Sequence, residues 1–352
     1  MPTKYPEIAG VLRSRLDRGD YALNRLPSGR KLAAELGVSY LTARRAIAHL
    51  IEGGELVRED NGRLRRAEQH PVRDRPLNIA FLMPANPSAS SGEWRIALSE
   101  VVEERGGVVR PISYVHPDDP VITEAINAEF DGIFLVQPRG VATVLLDRLA
   151  RERHRIVMVW NGADDLEIPC LDGGAPDAID ELVLHLRELG HRRIDCFNTM
   201  HHGTVVSERI ERWRSAVDRF GLEGELHEDP CEFMGNPAPL ARRLALRVWA
   251  DGPPSTAVFC PTVAAVHGLY RAAWEMRLWV GQDVSICSFG SHELAELFTP
   301  SLTTVETAPL KPLLTRGLDW IVSGGKQWDG PWRLAPTDLK VFKGESTGPA
   351  PA

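Results

Sequence analysis

The chain has 352 residues, 43% of them apolar and 25% charged, without a biased tract, which is the composition of an ordinary folded protein and too long for one small domain. No apolar run approaches the roughly 18 to 20 residues of a membrane span and the N-terminus lacks the apolar core of a signal peptide, so a soluble, cytoplasmic protein is expected. Cys170, Cys196, Cys231, Cys260 and Cys287 are odd in number, widely spread and never in CxxC or CxH spacing, which argues against a disulfide framework or a zinc site and for buried free thiols.

The net charge of -7 hides an asymmetry. Residues 1 to 76 carry 15 Lys+Arg against 10 Asp+Glu, and the remaining 276 residues carry 26 against 38. A cationic head on an anionic body suggests a polyanion-binding module fused to a domain with another task.

The head reads turn by turn. Ile8, Val11, Leu12 and Leu16 recur at helical spacing and Gly19 supplies a stop, predicting a first helix over residues 4 to 18. Ser28 is placed to cap a second helix ending at Gly37, and Ser39 a third running through YLTARRAIAHLIE to Gly53. In the third, Ala43, Ala46, Ile47 and Leu50 face inward, leaving Tyr40, Thr42, Arg44, Arg45 and His49 outside. ELVRED and RLRR flank Asn61-Gly62, a dipeptide suited to a type I′ turn, and predict a two-stranded wing carrying Arg63, Arg65 and Arg66. Two helices joined by a tight turn are sized to place the second in the DNA major groove, with the wing arginines at phosphates or the minor groove.

The string LPSGRKLAAELGVSYLTARRAIAHLIEGGELVR resembles the winged helix-turn-helix of the gluconate-repressor (GntR) family over roughly residues 4 to 66. The resemblance implies operator contacts from Arg30, Ser39, Thr42, Arg44 and Arg45. It departs from the family at the wing tip, where DNGRLRR replaces a GxG followed by aromatic or β-branched residues.

Residues 67 to 76 are polar with two prolines and read as a linker. Beyond them apolar strands such as LNIAFLMP and DGIFLVQP alternate with amphipathic helices, predicting parallel sheets covered by helices, in two lobes with a crevice at the strands' carboxyl ends. The strings LHLRELGHRRIDCF, SERIERW, PSTAVFCPTVAAVHGLYRAAWEMRLWVGQDVSICSFG and PSLTTVE resemble the lactose/galactose-repressor (LacI/GalR) effector domain and, more distantly, periplasmic sugar-binding proteins, over roughly residues 77 to 345. The combination resembles the arabinose-repressor type of bacterial sugar regulator. The expected fold is therefore α/β: a winged helix-turn-helix over 1–68, a linker over 69–76, a two-lobed periplasmic-binding-protein-like domain over 77–345 and a disordered tail over 346–352. The N-lobe is expected over about 77–162 plus 291–322, and the C-lobe over 163–290 plus 323–345.

The second resemblance assigns the ligand-binding arginine of the family to Arg209. Asn161 stands where many members have an aspartate, Thr262-Val263 where they have Asn-Asp, and Gly290 where they have a binding aspartate. Ser88, Ser90, Ser91, Trp94, Gln137, Asp172 and Phe233 are further lining candidates, Asp172 equally suited to capping its own loop. With Arg209 kept and carboxylates lost, a sugar acid or sugar phosphate fits at least as well as a neutral sugar.

No GxSxG, HExxH, strand-following GxGxxG or Walker lysine loop occurs, and His201-His202 lacks a third partner, so no enzyme is expected and no cofactor. The expected protein is a homodimeric repressor of carbohydrate-metabolism genes that binds operator DNA under control of a small effector. An effector-independent DNA binder with a degenerate pocket is the alternative. Pro71 and Pro76 disfavour a hinge helix before the body, so signalling is expected through dimer geometry.

Overall fold

A computed structural model describes residues 5–23, 26–67, 76–85, 89–136, 143–160, 164–174, 177–232, 235–290, 292–305, 309–336 and 339–351. The head consists of α1 (Tyr5–Asp17), α2 (Gly29–Glu35), α3 (Tyr40–Glu52) and an antiparallel wing, β1 (Leu56–Arg58) with β2 (Leu64–Arg66). Its core is Leu12, Leu16, Leu32, Ala46, Ile47, Leu50, Leu56 and Leu64. Ala43, Ala46, Ile47 and Leu50 of α3 are all buried, as the helical spacing requires. Ser39 caps α3 by accepting from the Thr42 N–H at 3.1 Å, whereas Ser28 has the extended backbone of a cap but makes no side-chain cap bond.

The wing turn differs from the sequence expectation. A type I′ turn needs positive φ at both central residues, yet among the described residues of the wing only Gly62 has it. The Asn61 side chain instead accepts from the Arg63 N–H at 2.9 Å, and the Glu59 N–H donates to the Arg63 carbonyl, closing a longer loop over 59–63. An asparagine that bonds the backbone two residues on stabilises its own turn without entering the left-handed region.

The body has two six-stranded sheets. The N-lobe contains β3 (Asn78–Pro84), α4 (Ala89–Glu103), β4 (Val108–Tyr114), α5 (Pro120–Ile126), β5 (Gly132–Val136), α6 (Thr143–Glu152), β6 (Ile156–Val159) and β7 (Cys170–Leu171). The C-lobe contains α7 (Ala178–Glu188), β8 (Ile194–Asn198), α8 (Thr204–Arg219), β9 (Leu226–Glu228), α9 (Pro237–Val248), β10 (Ala257–Cys260), α10 (Val263–Glu275), β11 (Ser285–Ser288), α11 (His292–Ala295) and β12 (Thr303–Val305). Then come α12 (Leu310–Val322), β13 (Arg333–Leu334) and β14 (Val341–Phe342). The sheet orders are β13-β7-β6-β5-β3-β4 and β14-β12-β11-β10-β8-β9, parallel except for β14. Strands β5, β6, β8, β10 and β11 are buried throughout, as strands covered on both faces must be.

Three parts of the expected division do not hold. β7 pairs with β6 and belongs to the N-lobe sheet, β12 pairs with β11 in the C-lobe, and β13 returns to pair with β7. The chain therefore crosses between lobes after β7, after β12 and between β13 and β14. The tail is also not disordered. Ser346 is fully buried and accepts from the Thr303 N–H at 2.8 Å. The Gly348 N–H donates to Ser285 Oγ at 3.1 Å, and the Ala350 N–H to the Leu189 carbonyl at 2.9 Å. These bonds satisfy polar groups that the C-lobe would otherwise bury without partners, which is why so small and polar a segment is ordered.

His191 sits at the same seam, with Nδ1 at 2.8 Å from Thr256 Oγ1 and Nε2 at 3.1 Å from both Ser285 Oγ and the Gly348 carbonyl. Burial lowers its pKa below the ordinary 6.5, and burial likewise lowers that of His185, which contacts Thr347 at 3.0 Å. A histidine whose folded pKa is depressed contributes stability that is complete above the unfolded value and is lost as pH falls through the folded one. Two outcomes are expected in thermal unfolding: truncation after Lys343 removes about 3 kcal/mol or more by leaving several buried donors and acceptors unmade. The full chain should also lose stability as pH falls below the ordinary histidine value of 6.5, a loss that the truncated chain shows less of.

Candidate nucleic-acid interface and interlobe cleft

The outward face of α3 carries Tyr40 (50% exposed), Arg44 and Arg45 exposed and Thr42 half-buried. Arg30 at the start of α2 lies 6.0 Å from the Tyr40 ring centroid, at the limit of a cation–π contact, so α2 and α3 present one basic edge. Ser39 is occupied in holding the first turn, with its hydroxyl 2.8 Å from that of Thr42. Among the described residues Arg30, Arg44, Arg45 and Arg63 form no ion pair, so their charge is available to a polyanion.

The wing arginines divide. Arg63 is exposed at the loop, Arg65 lies 3.6 Å from Glu59, and Arg66 pairs with Asp17 at 2.6 Å and donates to the Leu16 carbonyl at 2.8 Å. Arg66 therefore ties the wing to α1 and is not a phosphate contact, a correction that its sequence position beside Arg65 could not supply.

Arg209 of α8, the ligand-binding candidate of the sequence, lies beside Phe289 and Pro261 at the end of the C-lobe sheet. The side chain is half-buried, donates to the Pro261 carbonyl at 2.9 Å and lies with its guanidinium carbon 4.0 Å from the Phe289 ring centroid. Burial pushes its pKa down to about 10, against the pull of Asp172 and Glu208, so it stays charged at neutral pH. Asp172 does not pair with it: its carboxylate accepts from Arg333 at 2.7 Å and from the Gly174 N–H at 3.1 Å. Among the described residues Arg209 forms no ion pair, and a poorly hydrated guanidinium with most of its donors unused is suited to an incoming acceptor.

The other lining candidates separate. Ser90 is half-buried, Ser91 is buried at 4%, and Thr262 is half-buried at the start of α10 without a side-chain cap bond. Trp94 is a core residue, 3% exposed, whose indole edge comes within 3.1 Å of where a Cβ on Gly173 would lie. Ser88, Gln137, Asn161 and Phe233 lie outside the described residues. At position 290 the reason for glycine is visible, since a Cβ there would collide with the Val263 side chain. Val263 occupies the space that an acidic residue at 290 would need, so the two departures from the family pattern form one packing unit.

The sequence does not single out two residues beside these candidates. Phe289, in the string VSICSFG, lies beneath Arg209, and Trp160, just after β6, adopts φ +66. A left-handed backbone at so bulky a residue is strained and concentrates at functional positions. Its ring meets Trp94 edge-on at 6.2 Å. The Trp160-Asn161-Gly162 string was the available signal. His202 pairs with Glu228 at 3.2 Å and supplies no catalytic partner to His201. Among the described residues no cluster of His, Cys, Asp and Glu is arranged to hold a metal ion, and no helix is long and apolar enough to cross a membrane.

Residues 4–65 match the bacterial regulatory proteins of the gntR family, and residues 183–311 match the periplasmic binding protein-like domain. The transcriptional repressor CytR of Escherichia coli is 27% identical over 189 residues, 51% of this chain and 52% of that protein. The ribose operon repressor of Escherichia coli is 31% identical over 129 residues, 36% of this chain and 38% of that protein. The chain thus spans about half or less of the length of the curated relatives it matches. Among solved structures, a LacI family transcriptional regulator from Enterococcus faecium with bound ribose superposes with a TM-score of 0.63 at 18% identity, over 77% of this chain and 99% of that one. The dimeric Lac repressor does so with a TM-score of 0.64 at 17% identity, over 77% and 99%. The chain joins a gntR-type helix-turn-helix head to a periplasmic-binding-protein-like body, and the relatives named here are transcriptional regulators, not enzymes.

The packing of Val263 against Gly290 yields an expectation about stability. Gly290→Asp should lower stability by about 1–3 kcal/mol, the range of an overpacked core site. Val263→Ala combined with Gly290→Asp should recover most of the loss in thermal unfolding. Equal losses in the single and double variants would contradict the packing account.

Proposed function

We propose that a chain joining a gntR-type head to a two-lobed binding body is a sequence-specific transcriptional repressor of carbohydrate-metabolism genes, which binds operator DNA as a homodimer and is controlled by a small molecule in the interlobe cleft. The observation that carries the reading is the exposed basic edge of Arg44 and Arg45 on the Ser39-capped α3 beside Arg30 on α2, attached to a body that holds the Arg209 guanidinium without an ion-pair partner among the described residues. Thr42, Arg44 and Arg45 read base edges, Tyr40 and Ser39 fix the helix against the backbone, and Arg63 and Arg65 reach phosphates.

A second copy would cover the C-lobe face of α10. His267, Tyr270 and Trp274 recur at helical spacing there, the first two packing on Phe298 at 4.8 and 5.3 Å. Trp274 is 72% exposed, and Leu297, next to Phe298, is 79% exposed. Apolar surface of this kind marks an interface. Trp274→Asp should convert the dimer to monomer in sedimentation and weaken operator binding.

The effector carries a carboxylate or phosphate, as in a sugar acid or sugar phosphate, because such a group pairs the free donors of Arg209 bidentately. Ser90 and Thr262 then exchange hydrogen bonds with hydroxyls, and Asn161, Gln137 and Phe233 stay as candidates from the sequence. The tight Val263–Gly290 packing favours the second reading, a pocket that no longer binds, and the same experiment separates the two. In a thermal-shift screen, sugar acids or phosphates should stabilise wild type and not Arg209→Ala. Stabilisation by neutral sugars alone, undiminished in the variant, overturns the anionic effector, and no stabilisation by any compound favours the effector-independent reading. For the head, Arg44→Ala with Arg45→Ala should abolish footprinting with the fold intact, each bidentate base contact being worth about 1–3 kcal/mol. Wild-type binding should weaken steeply with salt.

A further inference from the structure

The head touches the N-lobe through the turn that follows α1. Arg110 on β4 pairs with Asp20 at 2.8 Å and donates to the Arg18 carbonyl at 2.9 Å. Ala22 and Leu23 pack against the N-lobe cluster that contains Ile122, Ile126 and Phe130. The Glu129 N–H points to the Ala22 carbonyl at 3.4 Å. Gly19, at φ +67, lies so close to Asn78 that a Cβ would meet its side chain.

Beside this patch lies a cleft of about 1240 Å³. Its head wall includes Arg30, Tyr40 and Arg63, the side chains assigned to DNA, and its opposite wall includes Glu124, Glu129 and Asp131 of the N-lobe. Arg30, Tyr40 and Arg63 thus share a cleft with the N-lobe edge, and a duplex engaged there would bring its phosphates beside that edge. The acidic side chains at that edge add negative charge where phosphates would approach, so the docked arrangement opposes DNA.

We propose that the N-lobe edge around Asn78, Arg110, Glu124 and Glu129–Asp131 is an intramolecular docking surface for the DNA-binding head, which competes with DNA for the basic edge of α2 and the wing. Full engagement of DNA then requires the Asp20–Arg110 contact to open and the head to leave the N-lobe. The proposal rests on the reading of the head as the DNA-binding module. It makes the docked and undocked arrangements two states whose ratio multiplies the apparent DNA affinity.

The sign of one substitution tests it. Arg110 is on the body and outside the DNA-reading face, so removing its positive charge would by long-range electrostatics alone leave DNA binding unchanged or weaken it. Docking requires the reverse. Arg110→Ala should bind a short random-sequence duplex two- to fivefold more tightly than wild type, the range of an exposed ion pair with one added hydrogen bond, and Arg110→Glu should bind more tightly still. Small-angle scattering of the full chain without DNA should show a larger maximum dimension for Arg110→Glu. Both changes are required: unchanged or weaker binding overturns the competition, and an unchanged scattering profile overturns the docking. If neither wild type nor variants bind any duplex, the reading of the head has failed, and scattering alone decides whether the head docks.

Discussion

Asp172 fixes the edge of the N-lobe sheet from which the chain passes to the C-lobe. Its N–H donates to the Leu334 carbonyl at 2.9 Å, one carboxylate oxygen accepts from Arg333 at 2.7 Å and the other from the Gly174 N–H at 3.1 Å. The residue thereby ends β7 and β13 together, at the point where two of the three crossings leave the N-lobe. Everything at the cleft is referred to this point. Gly173 passes under Trp94, and Gly174 passes so close to Phe289 that a Cβ would come within 2.8 Å of its ring. Phe289 in turn supports the Arg209 guanidinium. Because the carboxylate is satisfied by Arg333, it is not available to neutralise Arg209, and the charge of the cleft follows from an ion pair that lies beside it. Charge-assisted bonds at a half-buried site are strong enough to fix such an arrangement, where an exposed pair is not.

The electrostatics of the whole chain follow the same separation of roles. Among the described residues, cations without ion-pair partners on α2, α3 and the wing loop lie where a polyanion would approach, while several arginines elsewhere are tied. Arg66 binds Asp17, Arg193 binds Asp195 and Glu225, and Arg212 binds Asp177 and Asp180. A predominantly acidic body reduces non-specific association with DNA, so that contact is confined to the head.

The head was legible because its signals are local. Ser39 caps, Ala43 to Leu50 repeat at helical spacing, and Gly37 stops the preceding helix with φ +63. The body's sheets were legible for a related reason, since each long buried strand advertises itself by composition. The strands β7 and β13 have two residues each and β12 three, too few for any periodicity, and they are the strands that decide which lobe a segment joins. Asn61-Gly62 was misread because asparagine serves a turn either by taking positive φ or by bonding the backbone, and the sequence does not distinguish the two. At the cleft, Arg209 could be found from a resemblance, but Phe289 beneath it and the left-handed backbone of Trp160 are products of tertiary packing.

The docked tail bears on the order in which the molecule matures during synthesis. Residues 4–66 contain every element of the head and can form a core as soon as they leave the ribosome, whereas the C-lobe sheet takes β12 and β14 and closes its seam with Ser346, Gly348 and Ala350. Domains generally fold as units as the chain emerges, N-terminal ones first. At typical elongation rates of about 5–20 residues per second, the head is complete some tens of seconds at most before the lobe beneath the cleft can close. During that interval a nascent chain carries a finished basic edge without a finished sensor, and the nearby edge of β4 and α5, synthesised well before the C-lobe, is the part of the body already present to cover it.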